Sequence, residues 1–196
     1  MLVLTNFFLL EASQQSWFRG ERVLSLPIPL YRHFFPVEND VVIKGSPQVS
    51  FFSWTTALGK ILTIDNLRKR HFVVLEWCYM CKRCGESVDH LLLHYPIAYE
   101  MWSMVFCLFG ICWVMPQRVV DLLDCWSCNF RRHRNIVIWR MVPHCLMWCI
   151  WREQNARSFE GRKRSILEFK SFFLFYSSRM VFSFTILFLF FPSYFA

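Results

Sequence analysis

Apolar and polar positions follow no periodic pattern over residues 1–34, and LSLPIPLYRHFFP, with its three prolines, reads as extended or irregular chain. Order begins at Ser46. SPQVSFFSWTTALG predicts a helix, with Ser46 as N-cap and Pro47 at the first helical position. Val49, Phe52 and Thr56 fall on one face, Trp54 and Leu58 widen the apolar side, and Gly59 is the stop. TIDNLRKR repeats the design on a smaller scale: Thr63 caps, Asp65 sits in the first turn, and Arg68, Lys69 and Arg70 close the last. HFVVLEWC is short, β-branched and aromatic, and predicts a brief strand. Ser87 caps a helix from Val88 to His94, and Pro96 starts another that ends at Gly110. Pro116 starts a third, covering RVVDLLDCW. A long helical segment runs from Asn135 to Phe159, with a kink or break near Pro143 and with Trp139, Trp148 and Trp151 in the core. The fold class expected is therefore mainly α.

The tail differs from the rest. Residues 180–196, MVFSFTILFLFFPSYFA, carry no charge, and extending back through FFLFYSSR reaches a membrane-spanning length but takes in Arg179. The tail reads as a membrane anchor, as a terminal helix or strand buried on the domain, or as a segment under no structural selection.

Composition narrows the class. At 196 residues, 55% hydrophobic and 19% aromatic, the chain can bury a sizeable core and is not an intrinsically disordered composition. The net charge of +8 is clustered, in Arg68-Lys69-Arg70, Arg131-Arg132-His133-Arg134 and Arg162-Lys163-Arg164. Each cluster reads either as a solvated helix end or as a phosphate-binding patch. Nine cysteines, an odd number unevenly spaced, favour a metal site in a reducing compartment over a disulfide framework. The apolar run near Met1 lacks the basic start of a signal peptide.

CYMCKRCGESVDHLLLHY, residues 78–95, is where chemistry concentrates. Cys78-x2-Cys81 has the spacing at which two thiolates on a tight turn reach one ion, and His90 and His94 stand four apart on a predicted helix. Cys78, Cys81, His90 and His94 thus make a Cys2His2 zinc set, with Cys84 to spare. Core cysteines beside a surface histidine pair are the plain alternative. Cys125, Cys128 and His133 offer only three ligands, and His144, Cys145 and Cys149 read as buried, inert groups. No phosphate loop, nucleophile elbow or carboxylate cluster appears, and Glu86 lacks the HxE setting of the zinc deaminases. No enzyme activity and no small-molecule substrate are expected.

Four phrases resemble one family. SPQVSFFSWTTALGKILTIDNLRKR, WCYMCKRCGESVDHLLLHY, WVMPQRVVDLLDCW and CLMWCIWREQNARSFEG are similar to the zinc-binding domain at the C-terminal end of reverse transcriptases of plant LINE-type (non-LTR) retrotransposons. The resemblance covers roughly residues 35–175, leaving 1–34 unassigned and 176–196 as a hydrophobic tail. It implies a small helical domain around one zinc-knuckle-like loop. The family's pattern is Cys-x2-Cys, His, then Cys about five residues later. Cys78, Cys81 and His90 match, whereas Tyr95 stands where the fourth ligand belongs, and a phenol with a pKa of about 10 is a poor one. His94 is the expected substitute and Cys84 the weaker one. FPVENDVVIKGSP has Val37 and Val41 where the family carries tryptophans, and the polymerase signature Tyr-x-Asp-Asp is absent. The resemblance therefore implies a retroelement fragment.

The expected function is a non-catalytic zinc-binding domain with RNA or DNA as partner, Arg68, Lys69 and Arg70 touching phosphate. The alternatives are a membrane-anchored protein held through the tail, a metal-free interaction module, and a retroelement relic without function. An intracellular setting is favoured.

Overall fold

A proline at the first helical position needs no backbone donor and already has helical φ, and two of the helices begin that way. The computed structural model describes residues 47–128 and 136–190, all within the unit Val37–Ala196. Its helices are α1 (Pro47–Ala57), α2 (Ile64–Lys69), α3 (Pro96–Leu108), α4 (Val119–Cys128), α5 (Ile136–Phe159) and α6 (Ile166–Phe190), with a π turn at His90–His94 between α2 and α3. The architecture is mainly helical, as the periodicity predicts, and the described residues contain no strand. Gly59 and Gly110 take positive φ at the ends of α1 and α3, which is why the chain can turn there.

HFVVLEWC is not a strand. Residues 72–75 are irregular and the run makes one isolated bridge, Trp77 to Gly85. Strand propensity needs a neighbouring strand to complete its hydrogen-bond ladder, and none is supplied among the described residues. Phe72, Val73, Leu75 and Trp77 consequently stay exposed.

Helix α5 is the central element and packs against α1, α4, α6 and the π turn. Phe52 of α1 meets Trp148 edge-on at 5.3 Å and Trp151 at 5.7 Å. Trp139 is buried as expected, and Trp148 and Trp151 are half-buried. α6 buries Phe169 and Phe173. No helix among the described residues is long and apolar enough to cross a membrane. The side chains beyond Met180, and residues 191–196, lie outside the described set, as do Ser46, Val37, Val41 and the 131–134 cluster.

Of the kink or break expected near Pro143, the break does not occur, and α5 runs through it. Proline has no N–H for the carbonyl four residues back, a defect worth about 3 kcal/mol in a helix interior. That carbonyl belongs to Trp139. The Trp126 indole donates to it at 2.8 Å. In return the Trp139 indole donates at 3.2 Å to the carbonyl of Trp126, in the last turn of α4, where helical carbonyls lack intrahelical donors. The two rings stack at 3.9 Å and 10°. One aromatic pair therefore supplies donors to the carbonyls left open at a proline gap and at a helix end.

Long-range caps replace two that the sequence suggests. Thr63 makes no side-chain cap, its hydroxyl donating instead to the Asp65 carboxylate. Glu86 does the capping: its Oε1 accepts from the Ile64 N–H at 3.3 Å and its carbonyl from the Asp65 N–H at 3.2 Å. α4 starts at Val119, not at Pro116, because the Asp89 carboxylate accepts from the Val119 N–H at 2.8 Å.

His144 is buried in α5, and burial pulls its pKa down to about 4. Burial pushes the neighbouring Cys145 thiol up to about 12 and raises Cys149 too, so all three are neutral at pH 7.

Trp126→Phe keeps the stacked ring but removes the donor, and should lower urea-unfolding stability by about 1–3 kcal/mol. In a Pro143→Ala background, where residue 143 regains an N–H, the same change should lose clearly less. Equal losses in both backgrounds would show that the indole does not compensate for the proline. His144 sets a pH dependence. Its folded pKa lies below the unfolded value of about 6.5, so nothing changes above that pH. As pH falls toward 4, the unfolded chain binds a proton that the folded chain refuses, and stability drops by about 2 kcal/mol at pH 5. Unfolding with chelator present at pH 7 and pH 5 should show this drop, reduced in His144→Gln.

Candidate metal centre

The loop bearing the cysteines is closed by its own backbone. The Cys78 N–H donates to the Cys84 carbonyl at 2.7 Å, and the Lys82 N–H donates to the Cys78 carbonyl at 2.8 Å. Lys82, at φ 55°, sits in the left-handed region and reverses the chain between Cys81 and Cys84. Cys78 is buried, Cys81 half-buried and Cys84 exposed.

His90 arrives from the other side. Ser87 caps the turn as the sequence predicts, its Oγ accepting from the His90 N–H at 3.1 Å. The Tyr95 N–H closes the π turn on the His90 carbonyl at 2.7 Å. Leu91, Leu92 and Leu93 have no exposed surface. The Trp102 indole donates to the Leu92 carbonyl at 2.8 Å. His90 is thereby held toward the loop.

Cys78, Cys81 and His90 each place one donor atom within 4.8 Å of the others. Cys81 Sγ is 3.4 Å from His90 Nε2. Two thiols and an imidazole at these separations suit zinc, which takes both softer sulfur and imidazole nitrogen. Desolvation, then the nearby His94, lowers the His90 pKa, favouring the neutral ring that binds metal. Burial pushes Cys78 up to about 12. For Cys81 burial also acts upward, but donation from the Arg83 and Cys84 N–H groups and from neighbouring thiols outweighs it and lowers the pKa. Metal binding at Cys78 therefore has to displace a proton. Glu86 is buried, desolvation raises its pKa, and its Oε1 accepts from the Ile64 N–H at 3.3 Å. Its carboxylate is therefore turned away from solvent.

The structure does not bring His94 into the group. Its Nε2 donates to the Gln117 carbonyl at 2.9 Å. With the Asp89 cap on Val119, this bolts the π turn to the start of α4 on either side of His90. Cys84 lies closer: its Sγ is 3.6 Å from Cys81 Sγ and 3.5 Å from both ring nitrogens of His90.

Tyr95 faces inward. Its hydroxyl accepts from Arg157 Nη1 at 3.0 Å. Arg157 Nε donates to Glu153 Oε1 at 2.7 Å, and Arg164 Nη1 donates to Glu153 Oε2 at 2.7 Å. Burial raises the Tyr95 pKa against the pull of Arg157, keeping the phenol protonated and unfit as a ligand.

Arg68, Lys69 and Arg70 are exposed beside the loop. Arg68 pairs with Glu76, and Lys69 with Asp65 at 3.2 Å. Their neighbours Phe72, Trp77 and Tyr79 are also exposed, with Lys82 Nζ 5.9 Å from the Tyr79 ring centre. Cys125 is exposed, and the Cys128 side chain and His133 lie outside the described residues.

Tyr95→Phe removes one hydrogen bond to a buried guanidinium and should lower stability by about 1–3 kcal/mol without changing metal content. Zinc lost with the hydroxyl would overturn the inward, structural role of Tyr95.

Residues 39–102 match the family model described as zinc-binding in reverse transcriptase. No curated protein and no solved structure matches the chain. The match contains Cys78, Cys81 and His90, so this part of the chain is similar to a zinc-binding reverse-transcriptase domain, and its three converging donors fit the metal that the description names.

Proposed function

We propose that residues 35–175 form a non-catalytic zinc-binding domain, derived from the reverse transcriptase of a plant LINE-type (non-LTR) retrotransposon, that binds nucleic acid beside the zinc loop. The convergence of Cys78, Cys81 and His90 inside the matched segment carries this reading. Zinc would cross-link the 78–84 loop to the π turn, two pieces with no shared sheet to hold them. The nucleic-acid part rests on the neighbouring surface. Arg68, Lys69 and Arg70 supply charge for phosphates, and Trp77 and Tyr79 offer exposed faces on which bases can stack. The ion pairs to Glu76 and Asp65 are exposed and worth little, so phosphate can displace them.

The full chain should carry one zinc, removable by chelator, and bind a mixed-sequence single-stranded RNA with an affinity that falls as salt rises. Changing Arg68, Lys69 and Arg70 together to Ala should weaken binding and reduce the slope of log affinity against log salt by about 2, leaving zinc content intact. Unchanged binding across several salt concentrations would sink the basic-cluster assignment.

A further inference from the structure

The three converging donors leave a tetrahedral zinc one ligand short. The family's fourth position is occupied by Tyr95, which is committed to Arg157. His94 is committed to Gln117. Zn–S bonds of about 2.3 Å and Zn–N bonds of about 2.0–2.1 Å, at tetrahedral angles, put neighbouring donor atoms about 3.5–3.8 Å apart. Cys84 Sγ already stands 3.6 Å from Cys81 Sγ and 3.5 Å from His90 Nε2. With Cys81 Sγ 3.4 Å from His90 Nε2, these atoms form a triangle whose sides are close to the edges of a zinc tetrahedron. Cys78 approaches the same cluster, within 4.8 Å of Cys81 and His90.

We infer that Cys84 is the fourth ligand, so that the site is Cys78-Cys81-Cys84-His90, with three thiolates from one seven-residue loop and one imidazole. The loop's backbone explains how this works. The hydrogen bond from the Cys78 N–H to the Cys84 carbonyl holds the two ends of the loop together, and left-handed Lys82 turns Cys84 back toward Cys81. The fourth sulfur therefore comes from the cysteine loop itself rather than from the end of the π turn. Tyr95 is then free to serve the core. Glu86 is the remaining neighbour, but it is not among the donors that converge, and its Oε1 accepts from the Ile64 N–H at 3.3 Å.

This inference rests on the zinc-binding reading, and the test separates the two. The full chain, with Cys84→Ala and His94→Ala variants, is titrated with zinc and, separately, with cobalt(II) as a spectroscopic stand-in. The unaltered chain should bind one metal with thiolate-to-cobalt charge transfer of three-sulfur intensity. Cys84→Ala should lose about one third of that intensity and bind zinc more than about 100-fold more weakly, beyond the 10–100-fold typical of a residue that only orients a ligand. Cys84→His should recover affinity, and His94→Ala should match the unaltered chain. Cys84 is exposed, so its loss leaves the metal-free fold intact, which thermal unfolding of both chains in chelator checks. An unchanged spectrum and affinity in Cys84→Ala would overturn the assignment, as would loss confined to His94→Ala. No metal bound by the unaltered chain would overturn the zinc-binding reading itself.

Discussion

Burial of three consecutive leucines fixes the geometry around which the molecule is arranged. A helical turn at the surface buries one face, but Leu91, Leu92 and Leu93 all lack exposed surface, so this turn is enclosed on several sides by α3, α5 and its own flanks. Each leucine contributes about 1.5–3 kcal/mol of hydrophobic stabilisation, which makes the turn expensive to displace. The residues at its ends inherit fixed directions. His90 faces the cysteine loop, His94 faces Gln117, and Tyr95 faces Arg157.

Around that turn, polar groups from distant positions complete backbone ends that local sequence leaves open. Glu86 caps α2, Asp89 caps α4, and the Trp126–Trp139 pair serves both the proline gap in α5 and the end of α4. Buried backbone acceptors and donors left unmet are costly, so each of these contacts also fixes how two elements sit together. Two of the donors and acceptors, Glu86 and Asp89, lie within the short span between Cys84 and His90. The candidate centre is therefore tied to α2 and α4 with or without an ion.

The inward turn of Tyr95 ties the end of the π turn to a buried ionic group. Glu153 is buried with two arginines around it, and a buried carboxylate with its partners is stable only when the remaining donors are met. The Tyr95 hydroxyl accepts one of the Arg157 donors. Residue 95 therefore serves the core, and the sulfur that stands beside Cys81 and His90 is that of Cys84.

The sequence by itself determined the helices with strong local signals. Pro47 and Pro96 at their starts, Gly59 and Gly110 at their ends, and the Ser87 cap are all where the pattern puts them, because each acts through bonds a few residues long. The spacing of Cys78 and Cys81 and the position of His90 were legible for the same reason. Tertiary structure alone decided the rest. HFVVLEWC has strand propensity but no partner strand, Pro143 stays inside a helix because Trp126 lies against it, and Thr63 yields its capping role to Glu86. Sequence spacing likewise favours His94 over Cys84, and only the packing of the leucine turn sends His94 to Gln117 while Cys84 stands beside Cys81. Local propensity is encoded within a turn or two of chain, whereas the partner that satisfies a given donor or acceptor depends on which surfaces the folded chain brings together.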